Sequence, residues 1–247
     1  MQIIHILLFL LLLLNGKPAS SQSLTLVCDN YPPYQTVKND TVDGYSTRIV
    51  RIILKEMEAE IKRLDVLPWK RALNAMETSK ADALFSANYT EERAAYAYYP
   101  SEPLVQSPWV IWVREEDGIQ YDSFSDLDDG IVGVVRGYSY TPEFWKYLKK
   151  GHNYEEVTDD DTNFRKLHGG RIKYIIAELG NGLQIISELK LKGIIPLTAQ
   201  PVKTDGLYIT FNKKTVQKSF VDDFSRRLTA FRGTDTYQKI YQSYFKH

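Results

Sequence analysis

Between residues 47 and 63 the apolar side chains fall at Ile49, Ile52, Ile53, Met57 and Ile61, the spacing of one helix face, and predict a helix over Thr47–Arg63. Shorter apolar runs bounded by turn residues predict strands. These are Leu24–Cys28, ending at Asp29-Asn30-Tyr31-Pro32-Pro33, then Asp65–Leu67, Ala81–Ala87, Pro108–Arg114, Ile131–Val135, Tyr174–Ala177 and Leu207–Phe211. Helices are predicted between them: Trp69–Ser79 behind Pro68, a short turn at Thr90–Tyr96, and a helix with Thr141 as N-cap and Pro142 in its first turn. Further helices are expected at Asp161–His168, Leu183–Leu191, Thr215–Phe231 and Asp235–Phe245. Strands alternating with helices predict an α/β fold with mostly parallel sheets. Two β-rich stretches, 109–113 and 203–208, bracket a complete α/β unit at 114–202, with the pieces of a second unit before and after them. The expected organisation is one lobe from 22–108 and 209–247, a second lobe at 114–202, and crossovers at 109–113 and 203–208.

The run Ile3–Leu14 (IIHILLFLLLLL) is apolar but short. As a helix, twelve residues rise about 18 Å, less than a bilayer core of roughly 30 Å. Asn15, Gly16 and Pro18 break it, and Ala19-Ser20-Ser21 supplies the small residues of a cleavage site. Residues 1–21 therefore read as a secretory signal peptide, although no Lys or Arg precedes the run; an uncleaved anchor is the alternative. Cys28 lies too far past the expected cut, and inside a strand, to be a lipoprotein cysteine. The expected location is the periplasm.

Composition narrows the function. Lys plus Arg is 31 and Asp plus Glu is 31, a formal net charge of zero, without the basic excess of a nucleic-acid binder. One cysteine excludes an intrachain disulfide, and His5, His152, His168 and His247 share no ligand spacing, so no metal or cofactor is expected. The acidic runs Glu115-Glu116-Asp117 and Asp159-Asp160-Asp161 lack the alternating ligands and Gly of a calcium loop and read as solvated loops. Aromatic residues reach 13%, with 17 Tyr, enough to line a pocket for a small organic ligand as well as a core.

The order YPPY, PWKRAL, KADALFSANYTEERAAYAYYPSEPL, GVVRGYSY and LHGGRIKYIIAE resembles the family 3 extracellular solute-binding proteins, the polar amino-acid-binding components of bacterial ABC importers. The resemblance covers nearly the whole chain after residue 21 and is sharpest from Asp82 to Pro103. It implies a two-lobed periplasmic-binding-protein-like clamp, each lobe a mostly parallel sheet flanked by helices, with two β crossovers as hinge and the ligand in the cleft. It also implies site residues. Arg93 would hold the ligand's α-carboxylate through two charge-assisted hydrogen bonds; a surface Arg beside Glu91 and Glu92 is the alternative. Ser86, Asn88 and Thr90 look like the polar donors of the first lobe, Asn88 standing where Ser or Thr is usual. Tyr31, Tyr34 and Trp69 would stack on the ligand or serve the core instead. In the second lobe, Ser139 and the Tyr138 backbone resemble a second carboxylate contact, and Arg136 could add a cation. Glu178 matches the family's partner for the ligand ammonium, although Lys173 departs from the common Gly-Arg-x-Asp just upstream.

The function so implied is capture of a small zwitterion, an amino acid by default, by a monomer that delivers it to a membrane permease, without catalysis. Two alternatives share the fold: a periplasmic enzyme of the cyclohexadienyl-dehydratase kind, for which Glu178 could be the general acid, and a ligand-sensing partner of a membrane receptor. No nucleophile triad, P-loop or dinucleotide glycine pattern is present.

Overall fold

The structure, a computed structural model, describes residues 22–39, 41–151 and 153–245, so the expected signal peptide lies outside the described residues. In chain order the elements are β1 (Ser23–Cys28), β2 (Thr36–Lys38), β3 (Thr41–Asp43), α1 (Tyr45–Glu56), β4 (Glu60–Val66), α2 (Trp69–Glu77), β5 (Ala83–Ala87), α3 (Glu91–Tyr96), β6 (Ala97–Tyr98) and β7 (Val105–Arg114). There follow β8 (Val132–Val135), α4 (Pro142–Leu148), β9 (Tyr154–Val157), α5 (Asp160–His168), β10 (Tyr174–Glu178), α6 (Leu179–Leu189), β11 (Ile194–Leu197), β12 (Lys203–Asn212), α7 (Lys218–Arg232) and α8 (Asp235–Phe245).

The fold is α/β, as the alternating pattern predicts. Strand order is β4-β1-β5-β12-β7-β10-β8-β9. The β1–β4, β1–β5, β8–β10 and β8–β9 pairs are parallel. The long strands β7 and β12 run antiparallel to each other and to their neighbours, and join the two parallel sets. Pairing between them runs from Val105↔Leu207 to Trp109↔Lys203. Residues 109–112 of β7 pair with β10, and residues 111–114 with β11. One core, which includes Leu26, Ile49, Ile53, Phe85, Phe211, Phe224 and Leu228, lies between the first strand set and helices α1, α7 and α8. Two others flank the second set, one with Ile111, Val134 and Phe144, the other with Trp112, Phe164 and Ile175. No helix of the described residues is long and apolar enough to cross a membrane.

Three expectations are corrected. The helix predicted to Arg63 ends at Glu56: Glu58 turns with φ 54°, Ala59 N–H closes on Leu54 O at 2.9 Å, and β4 starts at Glu60. Ile61 keeps helical spacing with Met57, yet it pairs with Leu24 of β1, so tertiary pairing overrides the local period. Helix α6 opens at Leu179, four residues earlier than predicted, because Glu178 caps it. The run Asp159–Asp161 is not a solvated loop. Asp159 caps α5 by accepting from Thr162 N–H at 2.8 Å, and Asp160 is buried at 4% exposure. Strands β2, β3, β6, β9 and β11 go unpredicted; each has only two to four residues, too few to show a period.

Candidate ligand-binding cleft

The cleft is built where β1, β5 and β8 end. At β5 the chain leaves regular geometry: Ser86 has φ 63°, and β12 pairs Tyr208 with Ala87 and Ile209 with Phe85, skipping Ser86 as a bulge. The bulge turns Ser86 Oγ to within 2.7 Å of Gln35 Oε1 and 2.9 Å of Ser46 Oγ. Gln35 in turn donates Nε2–H to Asp29 Oδ1 at 3.0 Å, fixing a carboxylate just past β1. Asn88 follows, donating Nδ2–H to Gly206 O at 3.1 Å and accepting from Ser139 Oγ at 3.3 Å.

Arg93 projects from the first turn of α3, which Thr90 caps by accepting Arg93 N–H at 3.2 Å. Its side chain is 6% exposed and lies over Trp69, 5.3 Å from the ring centroid. The guanidinium donates to Asn88 O at 3.0 Å, Ser139 Oγ at 3.4 Å and Gly137 O at 3.1 Å. Gly137 turns with φ 82°, a left-handed conformation that presents this carbonyl to Arg93 and to Trp69 Nε1–H at 3.0 Å. These three guanidinium bonds end on neutral oxygens, and no carboxylate lies within ion-pair distance of Arg93 among the described residues. Burial pulls the guanidinium below its ordinary pKa.

Tyr138 stands in the middle of the cleft. Its ring packs edge-on against Tyr31 at 6.1 Å, Trp69 at 6.2 Å and Trp109 at 5.7 Å, and its hydroxyl donates to Asp160 Oδ2 at 3.2 Å. On the Arg93 side the remaining cavity is ≈ 20 Å³, lined also by Asp29, Tyr31, Ser86, Asn88, Trp109, Ser139 and Leu207. On the far side is an opening of ≈ 450 Å³, walled by Asp29, Trp69, Tyr138, Asp159, Asp160, Asp161 and Asn181.

The structure thus brings Ser86, Asn88, Arg93, Tyr31, Trp69, Tyr138 and Ser139 to one cavity. Four predicted residues lie elsewhere. Thr90 caps α3 beneath Arg93. Tyr34 is 1% exposed, stacked behind Tyr31 at 5.5 Å, and its hydroxyl bonds Glu178. Arg136 is on the surface, paired with Glu156 at 3.3 Å. Glu178 is buried at the start of α6, where it accepts from Asn181 N–H at 2.7 Å. Burial pushes its carboxyl up to about 7, against the pull of the Asn181 and Gly180 N–H groups and the Tyr34 hydroxyl. Gly180 makes that approach possible, since a Cβ there would meet Tyr34 Oη at 2.9 Å.

Sequence reasoning passed over Asp29, Asp160, Asn181 and Trp109. Asp29 begins the turn after β1, where ligand contacts gather in open α/β sheets, and that position was its signal. Asp160 was concealed in a triple-Asp run that looks like surface; the cap at Asp159 turns its neighbour inward.

A two-lobed α/β clamp with a buried, polar and aromatic cleft is the architecture of a periplasmic-binding-protein-like solute binder. The chain belongs to the bacterial extracellular solute-binding proteins, family 3, which it matches over residues 24–247. No curated protein sequence matches it. Among solved structures it resembles an ancestral arginine-binding protein bound to arginine, at 19% identity and a TM-score of 0.79, covering 90% of this chain and 98% of that one. It also resembles a histidine kinase sensor domain with similarity to periplasmic binding proteins, at 20% identity and 0.78, covering 92% and 96%. A third is an ancestral amino-acid-binding protein, a precursor of cyclohexadienyl dehydratase, at 19% identity and 0.75, covering 91% and 95%.

Proposed function

We propose that the chain captures a small zwitterion, an amino acid or close relative, in the cleft around Arg93 and presents it to the membrane permease of an ABC importer. The observation that carries this reading is Arg93 itself, a buried guanidinium with no carboxylate in contact among the described residues. Burying a charge without a counter-charge is costly, and a ligand carboxylate supplies the missing partner with two parallel hydrogen bonds. Trp109 Nε1–H and the Tyr31 hydroxyl, buried in the same cavity without partners, are further groups a ligand can satisfy. The amino-acid ligands of the similar solved proteins support the same reading.

In this reading residues 22–108 and 209–247 form one lobe and 114–202 the other, and the monomer closes by bending where β7 and β12 cross. Export by the N-terminal segment places it in the periplasm. Binding without chemistry is favoured over dehydration because Glu178, whose raised pKa would suit a general acid, does not line the cleft. Delivery to a membrane sensor instead of a permease leaves the cleft chemistry unchanged.

The test is thermal unfolding against a panel of amino acids. A bound ligand at 100 times its Kd adds about 2.7 kcal/mol of stability. Arg93→Ala removes a charged partner and is expected to weaken binding by about 30-fold or more. A panel in which no amino acid shifts the transition, or one in which Arg93→Ala leaves the shift intact, rejects the reading. Turnover of a cyclic substrate with loss of water moves it to the enzyme.

A further inference from the structure

Tyr138 stands on a tight turn just past β8. Its N–H closes the turn on Val135 O at 3.2 Å, with Gly137 at φ 82° in the third place, where such turns take glycine. The N–H that the family resemblance assigns to a ligand carboxylate is therefore engaged, and what Tyr138 gives the cleft is its ring. That ring is inserted into a cage whose walls come from other elements. Tyr31 from the turn after β1, Trp69 at the start of α2 and Trp109 of β7 stand at 83°, 85° and 88° to it, with centroids 6.1, 6.2 and 5.7 Å away. Edge-on contacts of this kind are a favoured aromatic geometry.

The ring takes up the volume that a bound molecule needs. Beside Arg93 it leaves ≈ 20 Å³. A single water requires roughly 10–15 Å³, so even glycine does not fit there while the ring is in the cage. Beyond the ring the cleft widens to ≈ 450 Å³, and Asp29, Trp69 and Tyr138 line both spaces. Two of these three are fixed: Asp29 accepts from Gln35 Nε2–H at 3.0 Å, and Trp69 donates to Gly137 O at 3.0 Å. Both are also buried, whereas Tyr138 is half-buried. Its hydroxyl donates to Asp160 Oδ2 at 3.2 Å, longer than the roughly 2.5–3.0 Å of a well-made O–H···O bond. Tyr138 is thus the part of the partition that can move.

We propose that Tyr138 is an internal stopper of the cleft: its ring fills the cage beside Arg93 until a ligand enters, and binding requires the ring to leave the cage and break its bond to Asp160. What displaces the ring rests on the proposed function; that the ring fills a built cage does not. A ligand that must expel the ring has its apparent affinity reduced by the fraction of time the cage is free. In return the cage is spared an empty void whose lining would lose its packing contacts.

The test compares the wild-type chain with Tyr138→Ala by thermal unfolding and calorimetric titration, using two kinds of probe. One is p-cresol, the deleted side chain as a free molecule; the other is a panel of the standard amino acids. p-Cresol is expected to bind Tyr138→Ala and not the wild type, whose cage is full. Amino acids that bind the wild type are expected to bind Tyr138→Ala about 10-fold or more tightly, and p-cresol to compete with them there. Tyr138→Phe keeps the ring and loses the hydroxyl bond, so it should bind the same amino acids roughly 2- to 13-fold more tightly than the wild type while still excluding p-cresol. It stands in where Tyr138→Ala does not fold. Amino-acid affinity that is unchanged or lower in the folded variant overturns the stopper and leaves the proposed function in place. Failure of p-cresol to bind a folded Tyr138→Ala overturns it whether or not any amino acid binds. Binding of p-cresol to Tyr138→Ala alone, with no amino acid bound by any of these chains, supports the ring as occupant of the cage, and the proposed function is then what fails.

Discussion

At Glu178 a carboxyl is buried with hydrogen-bond donors around it and no ion pair to a cation among the described residues. Its pKa in the folded chain is about 7, against 4.5 in an unfolded one, so the folded state holds a proton that the unfolded state has released across that interval. Stability contributed by the protonated group is complete below about pH 4.5, falls as pH rises, and is gone above about pH 7. The size of this contribution is about 3 kcal/mol at most. Glu178→Gln keeps an acceptor for Asn181 N–H but removes the titration, so chemical denaturation between pH 4.5 and 7 is expected to show a flatter stability profile than the wild type. An unchanged slope would mean that another group carries it; Asp29, raised to about 6, is the next to test. The contrast with Arg93 explains what single residues reveal in sequence. Arg93, Ser86 and Asn88 sit in a segment whose spacing is distinctive, and they line the cavity. Glu178 occupies an equally recognisable position, but where its carboxylate points depends on Tyr34, 144 residues earlier, and no local pattern encodes that.

Helix α6 shows the same division at the scale of an element. Its apolar residues were legible, its beginning was not, because the first turn is Leu179-Gly180-Asn181-Gly182, poor in helix formers. The glycines are there for packing. Gly180 leaves room for the Tyr34 hydroxyl, and a Cβ on Gly182 would enter the ring of Trp112, which is fully buried and itself packed edge-on against Phe164 at 5.2 Å. Gly182→Ala therefore sets a helix-propensity gain of about 1 kcal/mol against an overpacking cost of roughly 1–3 kcal/mol. Because the ring is fully buried and backed by Phe164, the upper part of that range applies, and the variant is expected to unfold at lower denaturant concentration with an unchanged m-value. A midpoint at or above wild type would show that the Trp112 pocket yields. The overrun of α1 into β4 has the complementary cause: Ile61 fits both a helical and a strand period, and the parallel pairing with β1 decides between them.

Across the whole molecule, the two strand sets meet through a small number of polar contacts around one turn. Gly137 O accepts from Trp69 Nε1–H at 3.0 Å and from Arg93 at 3.1 Å, while Ser139 Oγ accepts from Arg93 at 3.4 Å and donates to Asn88 Oδ1 at 3.3 Å. If the lobes open and close about β7 and β12, these bonds belong to the closed arrangement only, and each adds to its population. Trp69→Phe keeps an aromatic face in the cleft and removes one such bond, worth about 0.5–1.5 kcal/mol net. The apparent affinity of a ligand that binds the closed arrangement falls in proportion to the closed fraction, so the expected loss is roughly 2- to 13-fold. The same variant, without ligand, is expected to show a larger radius of gyration in small-angle scattering, and saturating ligand should return it to the wild-type value. A loss of affinity well beyond that range with an unchanged radius would instead make Trp69 a direct ligand contact, its indole nitrogen donating to the ligand and not to Gly137 in the complex. Both measurements on one variant therefore separate a residue that holds the lobes together from one that holds the ligand.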